Sequence, residues 1–165
     1  MVGGDKDVFD RVAPVLDAMA GDVTHVGAIG AGNIAKLANQ TIVAVNIAAC
    51  AEAFTLAQKA GVDPEAVYRA IRGGLAGSTV MDAKVPMMLA RDFAPGFRIN
   101  LHIKDLANAL DTGHGVDAPL PLTSLVREMM SVLDGDGSAA EDHSSLVKVY
   151  EKLANIELRP GGSQD

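Results

Sequence analysis

Gly30-Ala-Gly-Asn-Ile-Ala-Lys36-Leu-Ala-Asn39-Gln40-Thr-Ile-Val-Ala-Val-Asn46-Ile-Ala-Ala-Cys50-Ala51 is the stretch whose reading decides the fold. Between Leu37 and Ala51 it carries no charge, and helical spacing continues to the stop signal Ala60-Gly61. The pattern predicts one long helix over 31–60, apolar almost all round in its middle, which marks a buried helix. Lys36 stands at its head. An ammonium beside so much apolar surface is expected to be desolvated, and desolvation lowers a lysine pKa. That is how a lysine becomes usable for proton transfer near neutral pH. At about 100° per residue, Lys36, Asn39, Gln40 and Asn46 fall on one polar stripe of the helix. A lone lysine near a helix start more often snorkels to solvent. The amides sharing its face favour a lined cleft.

Working outward, the chain is expected to be mainly α. Its 165 residues are 48% hydrophobic but 4% aromatic, with no Trp, so the core must be Ala, Val, Leu, Ile and Met, a mixture that suits packed helices better than a β-sandwich. Asp63-Pro64-Glu65 opens a helix through Ile71, and Ser78 caps one over 79–90. Arg91 to Phe97 is a turn-rich connector. Helices follow at 99–112, 122–133 and 143–155, with a Gly/Pro-rich loop over 113–121 and Asp134-Gly-Asp-Gly137 as a break. Residues 1–29 differ. Apolar positions 8, 12, 15, 16 and 19 make an amphipathic helix, Val23-Thr-His-Val26 reads as a strand, and Met1-Val2 as the stub of a preceding strand. Together these are a remnant of an α/β domain, followed by a helical domain over 30–158 and a disordered tail over 159–165.

Several function classes are excluded. The net charge is −7 with no Lys/Arg run, which argues against nucleic acid. No signal peptide is visible, and the apolar run 42–51, broken by Asn46, is about half a membrane span. A single cysteine, Cys50, fits a reducing cytoplasm and a packed core thiol. His25, His102, His114 and His143 lack paired ligand spacing, so no metal is expected. Asp142-His143-Ser144 is contiguous, unlike an assembled triad, and Asp142 or Ser144 reads as a helix cap. Gly27, Gly30 and Gly32 lie between strand and helix, where a domain hinge is the expected role. Lys104 and Asn108 share a face beside Asp105, which alone is an ordinary charged helix surface.

The segment G-x-G-x-x-x-Lys36-x-x-Asn39-Gln40, the stretch Phe97 to Asp105, and Arg72-Gly-Gly-Leu-Ala-Gly-Ser-Thr79 together resemble the β-hydroxyacid dehydrogenase family, to about Leu158. The resemblance implies an all-helical C-terminal domain built on a long interdomain helix, behind a Rossmann domain that binds NAD or NADP. It implies Lys36 as the catalytic acid/base, Asn39, Phe97 and Asp105 at the substrate, and Lys104 at the cofactor. Stretches 74–84 and 95–110 look most like the branch that reduces 2-hydroxy-3-oxopropanoate to D-glycerate. Reduction of glyoxylate or succinic semialdehyde, oxidation of 3-hydroxyisobutyrate, and a non-catalytic dimerisation module stay open. A homodimer or tetramer through the helical domain is a further implication. Residues 1–29 resemble only the end of the Rossmann domain, so this chain alone is expected to be inactive.

Overall fold

A computed structural model describes residues 1–161. Strand β1 (Val2–Gly3), helix α1 (Lys6–Asp17) and strand β2 (His25–Gly27) form a small βαβ unit with the two strands parallel. Asp5 caps α1 by accepting from the Val8 amide at 3.0 Å. His25 Nε2 donates to the Gly4 carbonyl at 2.8 Å and its ring lies 5.1 Å from Phe9, which ties helix to strands. The expected helix and both strands are present, the second strand one to two residues later than the reading placed it.

Helix α2 (Ala31–Lys59) follows, with Gly30 at its N-cap. Gly30 has φ 93°, a left-handed turn that a side chain disfavours, so the chain can swing from strand into helix there. Helices α3 (Pro64–Ile71), α4 (Thr79–Ala90), α5 (Ile99–Gly115), α6 (Pro121–Gly135) and α7 (Val147–Ala154), with a 3₁₀ turn at His143–Leu146, pack on α2. Ser78 caps α4 and Asp63 caps α3, each accepting a helix amide as its residue type predicts. Helix α5 runs past the expected 112 and α6 begins earlier, so the loop shrinks to 116–120. The expected helix over 143–155 opens as the 3₁₀ turn, with Asp142 as its cap.

The glycine-rich 72–79 turn has a steric cause. A Cβ on Gly77 would stand 1.9 Å from the Arg72 carbonyl oxygen, so the tight return into α4 admits glycine alone. The core is largely aliphatic with one fully buried ring: Ile47 and Phe54 of α2, Val85 and Met88 of α4, Leu106 of α5 and Met130 of α6 are all fully buried. One expectation needs correction. Helix α2 is buried on one face only, with Ile42 and Leu56 exposed at 64% and 69%. Its partners all lie on one side, and the length and apolarity that would let it cross a membrane are spent partly in this core. Of the expected tail, the Arg159 amide donates to Gln58 Oε1 at 3.1 Å and the Gly161 amide to Asp63 Oδ1 at 3.0 Å. Residues 162–165 lie outside the described ones.

Candidate active site

Near its start, α2 meets the βαβ unit, and the seam holds an open pocket of about 510 Å³. Met1, Val2, Gly3, Gly30, Gly32, Asn33 and Lys36 line it. Lys36 is exposed there, so the desolvated setting expected for it is not found. The reason is its place at the helix start: Gln40, one turn on along the same stripe, is buried, whereas the first turns of α2 project beyond the bundle. Among the described residues Lys36 has no carboxylate partner; its ammonium sits over the Phe97 ring, 5.6 Å from the centroid. At that range the ring's negative face attracts the cation weakly without neutralising it.

Phe97 comes from the α4–α5 connector and is clamped from behind. Its ring lies edge-on to His102 at 5.5 Å and tilted on His143 at 5.6 Å. The two imidazoles, which the sequence separates, meet Nδ1 to Nδ1 at 2.9 Å. His102 Nε2 lies 3.2 Å from the Gln40 main-chain oxygen, an acceptor only, so this nitrogen donates. His102 Nδ1 is then the acceptor, which makes His102 neutral, and His143 Nδ1 is the donor. Burial pushes both pKa values down, His143 to about 3, with the Lys84 charge adding to the effect there.

Behind the imidazoles lies Asp142, fully buried. Its carboxylate accepts from the amides of Gly96, Phe97 and Ser144 and from Lys84 Nζ at 2.9–3.0 Å. Burial pushes this carboxyl up, but the Phe97 and Ser144 amides and Lys84 outweigh it and hold the pKa at about 2. Lys84 is therefore spent on Asp142, whereas Lys36 is unpaired.

The amide stripe divides. Asn39 Nδ2 donates to Gln40 Oε1 at 3.0 Å, Gln40 Nε2 to Asp105 Oδ2 at 2.9 Å, and Lys104 Nζ lies 3.5 Å from Asp105 Oδ1. Lys36, Asn39, Phe97, Lys104 and Asp105 thus belong to one connected group at one end of the bundle. Asn46 does not: its Oδ1 accepts from Ser78 Oγ at 3.1 Å, further along α2 beside the start of α4. Gln40, read as part of the stripe, is the buried link between Asn39 and Asp105. Two residues weighed in the sequence only as metal ligands, His102 and His143, are the wall behind Phe97. His102 stands three residues before Asp105 on α5, the same-face spacing that could have flagged it.

A roomier hollow of about 730 Å³ runs along α2 from Thr41 to Ala53, against Pro119–Thr123. Its lining is mostly apolar and carries no charge, with Thr41, Asn46 and Thr123 as its polar members. Cys50 on its wall is a buried thiol, and burial pushes its pKa up to about 11. It is a packing residue, as expected.

Residues 30–150 match the family model described as NAD-binding of NADP-dependent 3-hydroxyisobutyrate dehydrogenase. The chain is 42% identical over 158 residues to 2-hydroxy-3-oxopropionate reductase of Escherichia coli K12, covering 96% of this chain and 54% of the relative. It is 35% identical over 162 residues to 2-(hydroxymethyl)glutarate dehydrogenase of Eubacterium barkeri, covering 98% and 54%. Among solved structures, 3-hydroxyisobutyrate dehydrogenase of Mycobacterium tuberculosis with L-serine superposes with TM-score 0.85 at 34% identity, covering 91% of this chain and 54% of that one. The chain spans about half the length of the curated relatives it matches.

Proposed function

The chain belongs to the 3-hydroxyisobutyrate dehydrogenase family and has the fold of its helical C-terminal domain, and on that premise we propose that it is the proton-transfer half of an NAD(P)-dependent reductase. The substrate is a small 3-oxo acid, 2-hydroxy-3-oxopropanoate by likeness to the Escherichia coli relative, and the product D-glycerate. The observation that carries this reading is the unpaired ammonium of Lys36, standing between an open pocket and the Phe97 ring.

The nicotinamide supplies a hydride when bound. Negative charge then gathers on the carbonyl oxygen, and an ammonium beside that oxygen stabilises the charge and delivers the proton. Lys36 does this because no carboxylate competes for it. Asn39, one turn on, orients the substrate, Phe97 closes one side of the cleft, and Asp105 marks its far end, held by Gln40 and Lys104. Lys104 is 65% exposed and shares its charge only with Asp105, leaving donors for a nucleotide's polar groups. Gly3 and Gly32 let β1 pack main chain to main chain on the start of α2, and Gly30, with open space where a Cβ would stand, leaves the pocket edge free for a flat ring, so the residues fit a nicotinamide cofactor. The remaining cofactor contacts come from a nucleotide-binding domain. The reductase is cytoplasmic. It self-associates as a dimer or tetramer through the open apolar face of α2, where Ile42 is exposed.

The test is NAD(P)H oxidation with 2-hydroxy-3-oxopropanoate, run on the chain alone and joined to the nucleotide-binding half of the Escherichia coli relative. Turnover is expected only in the joined protein and is lost in its Lys36→Ala variant while cofactor binding survives. Turnover that persists without Lys36 would refute its role. A joined protein that never turns over but remains oligomeric would favour the alternative of a non-catalytic association module.

A further inference from the structure

Phe97 closes the cleft from a connector, and connectors have no hydrogen-bond ladder to hold a ring in place. Gly96 before it adds backbone freedom. The residue is held instead by one short segment, 141–143. The Asp142 carboxylate accepts the Gly96 and Phe97 amides, each at 3.0 Å. The His143 amide donates to the Phe97 carbonyl at 2.9 Å, and the His143 ring backs the Phe97 ring. Both polar groups of the Phe97 main chain are therefore fixed from one place, which shares the rear of the ring with His102.

We propose that Asp142, backed by Lys84, is the positioning residue of this site: it holds the Gly96–Phe97 main chain so that the Phe97 ring stands against Lys36. The proposal rests on the reading that Lys36 and Phe97 face a substrate. Asp142 never touches Lys36; it acts through Phe97. A carboxylate is required because three amides and an ammonium converge on it, and only a group with two acceptor oxygens and no donor meets all four. Stability alone would not call for it. A buried ion pair loses in desolvation much of what it gains in attraction, and apolar groups of like volume often serve as well. What the pair supplies is a direction for the Phe97 amide. In Asp142→Asn, one oxygen becomes an NH₂ that must point at Gly96 and Phe97 or at Lys84 and Ser144, donor against donor.

The experiment reads the Lys36 side-chain resonances of the full chain with isotope-labelled lysine. In the native chain the Phe97 ring shifts the Lys36 ε-protons upfield, and Phe97→Leu removes that shift. If Phe97→Leu changes nothing, the Lys36–Phe97 contact is absent and the substrate-site reading loses its support, whatever Asp142 does. With the contact established, Asp142→Asn is expected to remove the upfield shift in folded protein, and Lys84→Arg, which keeps the charge, to retain it. A merely structural Asp142 lowers the unfolding midpoint and leaves the Lys36 shift of the folded protein in place, which overturns the proposal. Should Asp142→Asn not fold, Lys84→Met carries the test: a partial loss of the shift supports the proposal and a native shift overturns it.

Discussion

The helical bundle and the βαβ unit ahead of it are built from the same apolar residue types, yet only the bundle closes a core. Ile47, Leu106, Met130 and Leu146 are fully buried there, at the meeting of α2, α5, α6 and the 3₁₀ turn. In the βαβ unit the apolar stripe of α1 faces solvent, with Val8 exposed at 45%, Val12 at 41% and Val15 at 62%. The stripe is as regular as any in the bundle. Amphipathicity states that a helix has something to bury, and only the presence of a second surface decides whether it does. Lys36 sits at the join, lining the seam between the two regions.

The sharpest test of that join is Lys36→Ala in the joined reductase. A positioned proton donor contributes about 10²–10⁴-fold, so turnover measured by NADH oxidation should fall by that factor, with nucleotide affinity kept. Inside the bundle, Leu106→Ala is expected to cost about 2–5 kcal/mol in denaturant unfolding, the range for opening a cavity at a fully buried leucine. A smaller loss would mean that the core is looser than its burial implies.

Acid should reach the bundle through the two imidazoles. Their folded pKa values are depressed below the ordinary 6.5, so below that pH the unfolded chain takes up protons that the native one refuses. Stability is therefore complete above pH 6.5 and is lost as pH falls towards about 3, the value for His143. Each histidine contributes a slope of up to about 1.4 kcal/mol per pH unit. Asp142 adds its own loss only below the ordinary carboxyl value of 3.8, towards about 2. Unfolding curves from pH 7 to 4 should flatten in the double variant His102→Gln, His143→Gln. The smallest effect belongs to the βαβ unit: Val15→Ala, on the exposed stripe of α1, should change stability by no more than about 0.5 kcal/mol. A cost like that of Leu106→Ala would erase the contrast between the two regions.

Much of this was legible in the residues. Asp63-Pro64 and Ser78 announced the starts of α3 and α4, because a cap is chemistry between neighbours in sequence. Lys36, Asn39 and Gln40 declared a polar edge on α2 by spacing alone. The setting of Lys36 was misjudged: local apolarity suggested desolvation, but burial depends on how far along α2 the other helices reach, and they cover Gln40 but not Lys36 one turn before it. His102 and His143 could not be paired from spacing, since forty residues, including the whole of α6, lie between them. Asp142 announced itself as a cap, which it is, while its grip on Phe97 and Lys84 stayed hidden for the same reason.

The sequence by itself determined the helices, their caps, the αβ character of the first residues and the amides beside Lys36. These follow from periodicity and near-neighbour hydrogen bonds. Only the tertiary structure decided which face of α2 is covered, that Lys36 stands open while Lys84 is spent on Asp142, and that two distant imidazoles back Phe97. Those outcomes depend on packing between elements far apart in the chain, and no local rule encodes the direction from which a distant helix arrives.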